Sequence, residues 1–132
     1  MNGHIIVDGL LKAATGLAAL VADRIYPDVM PDAPNYPAVT YQKLSGSSAR
    51  GAVSDPPLMT ASFQVSSWAK SRAQASKIAA QARKALDRKR KITVASVALD
   101  DCFYESDNDD FDGDSKVYFN HMTFTLHYRD AT

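Results

Sequence analysis

An α+β domain is the fold class that this sequence predicts, with two helices packed on one face of an antiparallel four-stranded sheet in the order α-β-β-α-β-β. Three observations predict it. Apolar residues recur at spacings of three and four in two segments, the period of an amphipathic helix. Strict alternation marks segments near Leu58 and near the C-terminus, the period of a strand with one covered face. At 132 residues, 45% hydrophobic and 23% charged, the chain has material for one core, and we read residues 1–132 as a single domain.

The first helix is predicted over residues 5–21, where Ile6, Leu10, Ala13, Ala14, Leu17, Leu20 and Val21 form one apolar stripe. Thr15-Gly16 interrupts it, and glycine costs about 1 kcal/mol inside a helix, so two short helices are an open alternative. Pro27, Pro31, Pro34 and Pro37 then remove backbone donors and rule out helix or central strand, leaving an extended crossing. Strand one is predicted from Ala38 to Leu44, and Ser45-Gly46-Ser47-Ser48 ends it. A polar loop continues to Pro57, too long for a tight turn.

Strand two, Leu58 to Trp68, sets Ala61, Phe63 and Val65 against Ser62, Gln64 and Ser66. Ser71 with Gln74 forms a capping-box signature, opening a second helix through Ala75, Ile78, Ala79, Ala82, Ala85 and Leu86 that ends near Asp87 or Arg88. Strand three, Ile92 to Tyr104, and strand four, Lys116 to Arg129, flank an acidic turn in which Gly113 can supply a positive φ. On strand four, Met122, Phe124, Leu126 and Tyr128 share the core face.

Charge excludes some functions. Fifteen basic and fifteen acidic residues give no net charge, which argues against nucleic-acid binding by bulk electrostatics. Cys102 is the only cysteine, so no intrachain disulfide forms and a reducing cytoplasm is the default expectation. The longest apolar run, Leu17 to Ala22, falls short of the roughly 20 residues of a membrane helix. The N-terminal segment lacks a basic leader and is broken by Asp8 and Lys12, so it reads as part of the fold.

Eight acids crowd Asp100 to Asp114. A calcium loop counted from Asn108 finds Asp110, Asp112 and Gly113 in register, but Phe119 stands where the bidentate carboxylate belongs. The bland reading is a solvated hairpin that discourages edge pairing. Arg83, Lys84, Arg88, Lys89, Arg90 and Lys91 form the opposite cluster, where cations suit a helix C-terminus. Segregated charges suggest a head-to-tail subunit interface drawing on Arg88, Lys89, Arg90, Asp109, Asp110 and Asp112. His4, His121 and His127 lack metal-ligand spacing. Acids around Cys102 raise its thiol pKa, so it reads as a packing residue. The serines at 45–48 lack a neighbouring base. Trp68 reads as an anchor of the second helix. No catalytic residue, metal or cofactor is expected.

Five pieces carry a resemblance: Leu20-Val21-Ala22-Asp23-Arg24-Ile25-Tyr26-Pro27, Pro37-Ala38-Val39-Thr40-Tyr41-Gln42, Phe63-Gln64-Val65-Ser66-Ser67-Trp68-Ala69, the alanine-rich helix, and Phe124-Thr125-Leu126-His127-Tyr128. In order and spacing they resemble the tail-completion proteins of long-tailed bacteriophages, with Ser67 where that pattern more often has cysteine. The resemblance implies a structural neck protein, usually a six-subunit ring, that caps the head-proximal end of the tail tube. Its implied partners are further copies of itself, the tail tube protein, the head-closure or connector protein and DNA passing through an axial channel. It implies location in the virion, and in the host cytoplasm during assembly. The loop from Ser45 to Pro57, with Ser47, Ser48, Arg50 and Asp55, is the expected lumen or partner element. Rival readings are a head-closure or adaptor protein, a cation-dependent hydrolase using the acidic hairpin, and a small nucleic-acid binder using Arg83 to Lys91.

Overall fold

The computed structural model of the chain describes residues 3–29, 31, 35–48, 58–94, 97–114 and 116–129. Arg50 and Asp55 lie outside them. Three helices and six strands follow the order α1 (Gly3–Ala13), α2 (Thr15–Val21), β1 (Ile25–Pro27), β2 (Ala38–Ser48), β3 (Leu58–Ala69), α3 (Arg72–Leu86), β4 (Arg90–Val94), β5 (Val97–Asp112) and β6 (Val117–Arg129). The sheet order is β1-β2-β3-β6-β5-β4, and the sheet curves into a half-barrel.

This corrects the expected four-stranded antiparallel sheet with two helices. β1 pairs with β2 in parallel, so the sheet is mixed. Its three residues occupy the edge, where the missing N–H of Pro27 is tolerated. The expected third strand is two, because β4 folds back antiparallel on β5 from Val94↔Val97 to Arg90↔Asp101. Of the two possibilities for the N-terminal stripe, the chain takes the pair of short helices. Ala14 adopts an extended conformation (φ −77°, ψ 108°) and the helices bend by 80° there.

Further corrections concern boundaries. β2 continues through Ser48, after a register shift between Lys43 and Ser45. β5 continues eight residues past Tyr104 to Asp112, because β6 offers it pairing partners up to Val117. The positive φ near the hairpin turn belongs to Lys116 (56°) rather than Gly113.

Other expectations hold in detail. Ser71 is the N-cap of α3 and its Oγ accepts from the Gln74 N–H at 3.2 Å. The core face of β6 is as expected, with Met122, Phe124, Leu126 and Tyr128 at most 2% exposed. They meet Ala61, Phe63 and Val65 of β3, and the alanine face of α3 covers the centre of the sheet. Each large apolar side chain removed from water here is worth about 1.5–3 kcal/mol. α1 lies so close that a Cβ on Gly3 would sit 3.0 Å from the Phe63 ring. Tyr41 of β2 ties it down by donating its hydroxyl to Asp8 Oδ1 at 2.8 Å.

Candidate functional site

With the helices on one side, the other face of β2, β3 and β6 is left without a helix above it. Alternation sends Thr40, Ser62, Gln64, Ser66, Thr123 and Thr125 to this face, so its centre carries hydroxyls and amides and no formal charge. Towards one end stands an aromatic patch that the sequence reading missed. Trp68 and Phe119 have ring centroids 4.8 Å apart, and His121 lies 4.6 Å from Phe119 and 5.9 Å from Trp68. The Trp68 indole donates to Thr40 Oγ1 at 2.9 Å, so it anchors β3 to β2 on this side and does not hold α3, contrary to expectation.

His121 Nδ1 lies 2.5 Å from Ser66 Oγ and 3.0 Å from Gln64 Nε2. An amide nitrogen can only donate, so Nδ1 accepts and the ring proton sits on Nε2. Burial pushes the His121 pKa below its ordinary value, against an opposing pull from Asp110. The imidazole is therefore neutral at neutral pH, and the centre of this face keeps its lack of charge.

Charge is concentrated at the β4–β5 edge. Beyond Asp101, β4 no longer covers β5. Arg88 N–H donates to the Cys102 carbonyl at 2.7 Å, and Asp87 Oδ1 accepts from Tyr104 N–H at 2.9 Å, which closes the edge as far as Tyr104. From Glu105 to Asp112 every residue is exposed.

A register shift between Tyr104 and Ser106 decides where the acids point. After it, Asp107 and Asp109 fall opposite Met122 and Asn120 on the helix side, while Asp110 and Asp112 fall on the other. Asn120 Nδ2 donates to Asp107 at 3.0 Å and to Asp109 at 2.8 Å, and Arg72 pairs with Asp109 at 3.5 Å. Hydrogen bonds from the Tyr104 hydroxyl, first, and then the Asn120 amide hold the Asp107 carboxyl below its ordinary pKa. The acids grouped by sequence are thus divided between the two faces: Asp109 takes side-chain partners on the helix side, while Asp110 and Asp112 lie on the other face, where Asp110 Oδ1 accepts the Phe111 N–H at 2.8 Å and Asp112 Oδ1 accepts the Asp114 N–H at 3.0 Å.

The basic cluster divides similarly. Arg83 stacks 3.9 Å above the Tyr104 ring and pairs with Asp87 at 3.5 Å. Arg88, Lys89, Arg90 and Lys91 are exposed in the turn after α3, with Arg88 (φ 63°) and Lys91 (φ 53°) in the left-handed region. No acidic partner lies within 4 Å of these four among the described residues.

Ser47 and Ser48 end β2, opposite Thr60 and Met59, so the expected loop begins later than the serines. No three or more His, Cys, Asp or Glu among the described residues are grouped to hold a metal ion. His127 Nδ1 lies 2.6 Å from Asp101. Cys102 is fully buried, and burial first, then Asp87 and Asp101, push its thiol pKa up to about 12. It packs in the core, as the sequence reading expected.

Comparison with known proteins agrees with this architecture. A solved structure titled "Virion of native gene transfer agent (GTA) particle" contains a chain similar to this one, with a TM-score of 0.71 at 18% identity, over 94% of this chain and 92% of that one. No curated protein matches. The family model described as "Tail completion protein gp17" matches residues 7–129. A match over nearly the whole chain places it: the protein belongs to the tail completion protein gp17 family and is a structural phage tail protein.

Proposed function

We propose that copies of this chain close into a ring, of six subunits as the family resemblance implies, that caps the head-proximal end of the tail tube and joins it to the head connector. The observation that carries the reading is the helix-free sheet face. A wall of hydroxyls, amides and a neutral imidazole across β2, β3 and β6 suits an axial channel. Cations there would neutralise phosphates and hold DNA, whereas this surface lets a polyanion pass. The function is then geometric: the ring stops tube growth, joins two assemblies and leaves a passage, without catalysis.

The β2–β3 end, with Ser47, Ser48, Arg50 and Asp55, is the element we assign to contact with the head connector or the lumen, since such segments carry contacts on a rigid sheet. The tail tube protein meets the opposite rim, and the site of action is the virion neck after assembly in the host cytoplasm. Replacing Arg50 by Ala and shortening the segment 49–57 is expected to leave folded protein that no longer joins heads to tails. Normal yields of infectious particles from that variant would contradict the assignment.

A head-closure or adaptor role is the second reading, and the isolated ring separates the two by binding tail tubes or head connectors. A small nucleic-acid binder would draw on the exposed basic turn Arg88 to Lys91 and would show affinity falling steeply with salt.

A further inference from the structure

Both ends of the sheet are blunted by the chain itself, yet each leaves a stretch of a longer strand uncovered. At the first end Pro27 has no N–H, Ile25 N–H turns back to the Asp23 carbonyl at 2.8 Å and Val29 N–H to the Pro27 carbonyl at 2.8 Å, so β1 keeps no donor for a further strand. β1 covers only Val39 to Tyr41, and β2 runs on past it from Gln42 to Ser48. At the other end β4 is five residues long and bends at Lys91 (φ 53°), while Asp87 and Arg88 close β5 as far as Tyr104. β5 then runs on uncovered from Glu105 to Asp112.

Alternation fixes which main-chain groups these stretches turn outward. Tyr41 faces β1, since its carbonyl accepts Asp28 N–H at 2.7 Å, and Tyr104 faces the β4 side, since its N–H reaches Asp87. Carrying the two-residue period past the register shift in each strand leaves Gly46 and Ser48 outward on β2, and Asp107 and Asp109 outward on β5. Phe111 would be next, but its N–H is turned to its own Asp110. Among the described residues, no bond from outside the sheet's own ladders reaches the main chain of those four.

We propose that β2 of one copy pairs antiparallel with β5 of the next, Gly46 opposite Asp109 and Ser48 opposite Asp107, so that the sheets join head-to-tail through main-chain hydrogen bonds. Three observations select this partner and register. Pairing of β5 with its own copy would set Asp107 and Asp109 against acids, whereas Gln42 to Ser48 holds no acid and one cation, Lys43. Gly46 pairs with Ala61 and Asp109 with Asn120, both on the helix side, so the faces of the two sheets continue each other. Across the sheet Gly46 stands level with Leu126 and Asp109 with Asn120, an offset of six positions over the four strands β2, β3, β6 and β5. At about 3.3 Å per residue and about 4.8 Å per strand, that offset tilts the strands by about 45°, within the range of about 35–45° at which sheets close into barrels. It also carries β1 past the end of the β5–β6 hairpin and β4 past Ser48, so neither obstructs the pairing. The contact deepens the ring reading and rests on it only for closure.

In this register Ser47 and Asn108 of neighbouring copies are opposed on the helix-free face with Cα atoms about 4.5 Å apart, close enough for a disulfide. Within one copy β3 and β6 lie between them. The test is a chain carrying Ser47→Cys with Asn108→Cys, assembled into particles under reduction and then oxidised with copper-phenanthroline; buried Cys102 does not compete. The expected result is a disulfide ladder about tenfold stronger than from Ser47→Cys with Asp110→Cys, a pair about 7–8 Å apart and out of reach. Ser48→Pro removes an outward donor while sparing the β2–β3 ladder, and should weaken the disulfide ladder about tenfold. A ladder ending at six supports both the contact and the ring, and one running past six supports the contact against the ring. No ladder, or equal ladders from the two cysteine pairs, overturns the contact. A native six-subunit ring that gives no ladder overturns the contact alone.

Discussion

Asp87 closes an exposed sheet edge that main-chain pairing leaves open, and its replacement tests the account of how the acidic strand is held. Its Oδ1 accepts the Tyr104 N–H at 2.9 Å, and Oδ2 pairs with Arg83 at 3.5 Å. Asp87→Ala strands a half-buried main-chain donor, which costs about 1–3 kcal/mol. The ion pair adds less than about 1 kcal/mol because Arg83 is 50% exposed. The sum, about 2 kcal/mol, corresponds to roughly 8 °C in Tm for a domain of this size. Asp87→Asn keeps an acceptor oxygen and should lose less than about 1 kcal/mol. Urea unfolding followed by Trp68 fluorescence measures both. An asparagine variant as unstable as the alanine variant would show that charge, not the acceptor, holds the edge. An alanine variant within about 0.5 kcal/mol of the parent would refute the closure itself.

Three further outcomes follow from single groups. Ser71→Ala removes the α3 cap seen at Gln74 N–H and should cost about 1 kcal/mol in the same assay, with Ser71→Asp restoring most of it. His121 has its folded pKa depressed by burial below 6.5, so the unfolded chain binds the proton more readily. Its contribution is complete above pH 6.5 and is lost as pH falls through that value towards the folded pKa; His121→Gln should flatten stability against pH between about 7 and 5, and an unchanged slope would contradict this. Cys102, with its thiol pushed up to about 12 and no exposure, should resist thiol reagents at pH 8 until the chain is unfolded, and stoichiometric labelling of native protein would contradict its burial.

Periodicity made α3, β3 and β6 legible because each has one covered face, and the capping serine marked where α3 begins. What escaped lacks such a signal. β1 is three residues whose identity comes from pairing with β2, a partner fourteen positions away at Ile25↔Val39. β4 and β5 read as one run because Ile92, Val94, Val97 and Leu99 continue an apolar pattern, with neither glycine nor proline between them. The acidic half of β5 has poor strand propensity, and tertiary pairing with β6 overrides it. Alternation parts Asp109 from Asp110 and Asp112, but the shift at Tyr104/Ser106, which sets the face each one takes, leaves no mark in composition. The charge clusters themselves were visible in the sequence. Which members already had partners on their own chain was not, nor was the exposure of Phe111 beside them.

The central claim, a ring seated on the tail tube, is tested most directly by imaging the head-proximal ends of purified tail tubes after adding the chain, using electron cryomicroscopy. The account predicts a closed ring of six 14.4 kDa subunits, about 86 kDa, at that end. Bare tube ends, or chain bound along the tube without closing, would contradict it.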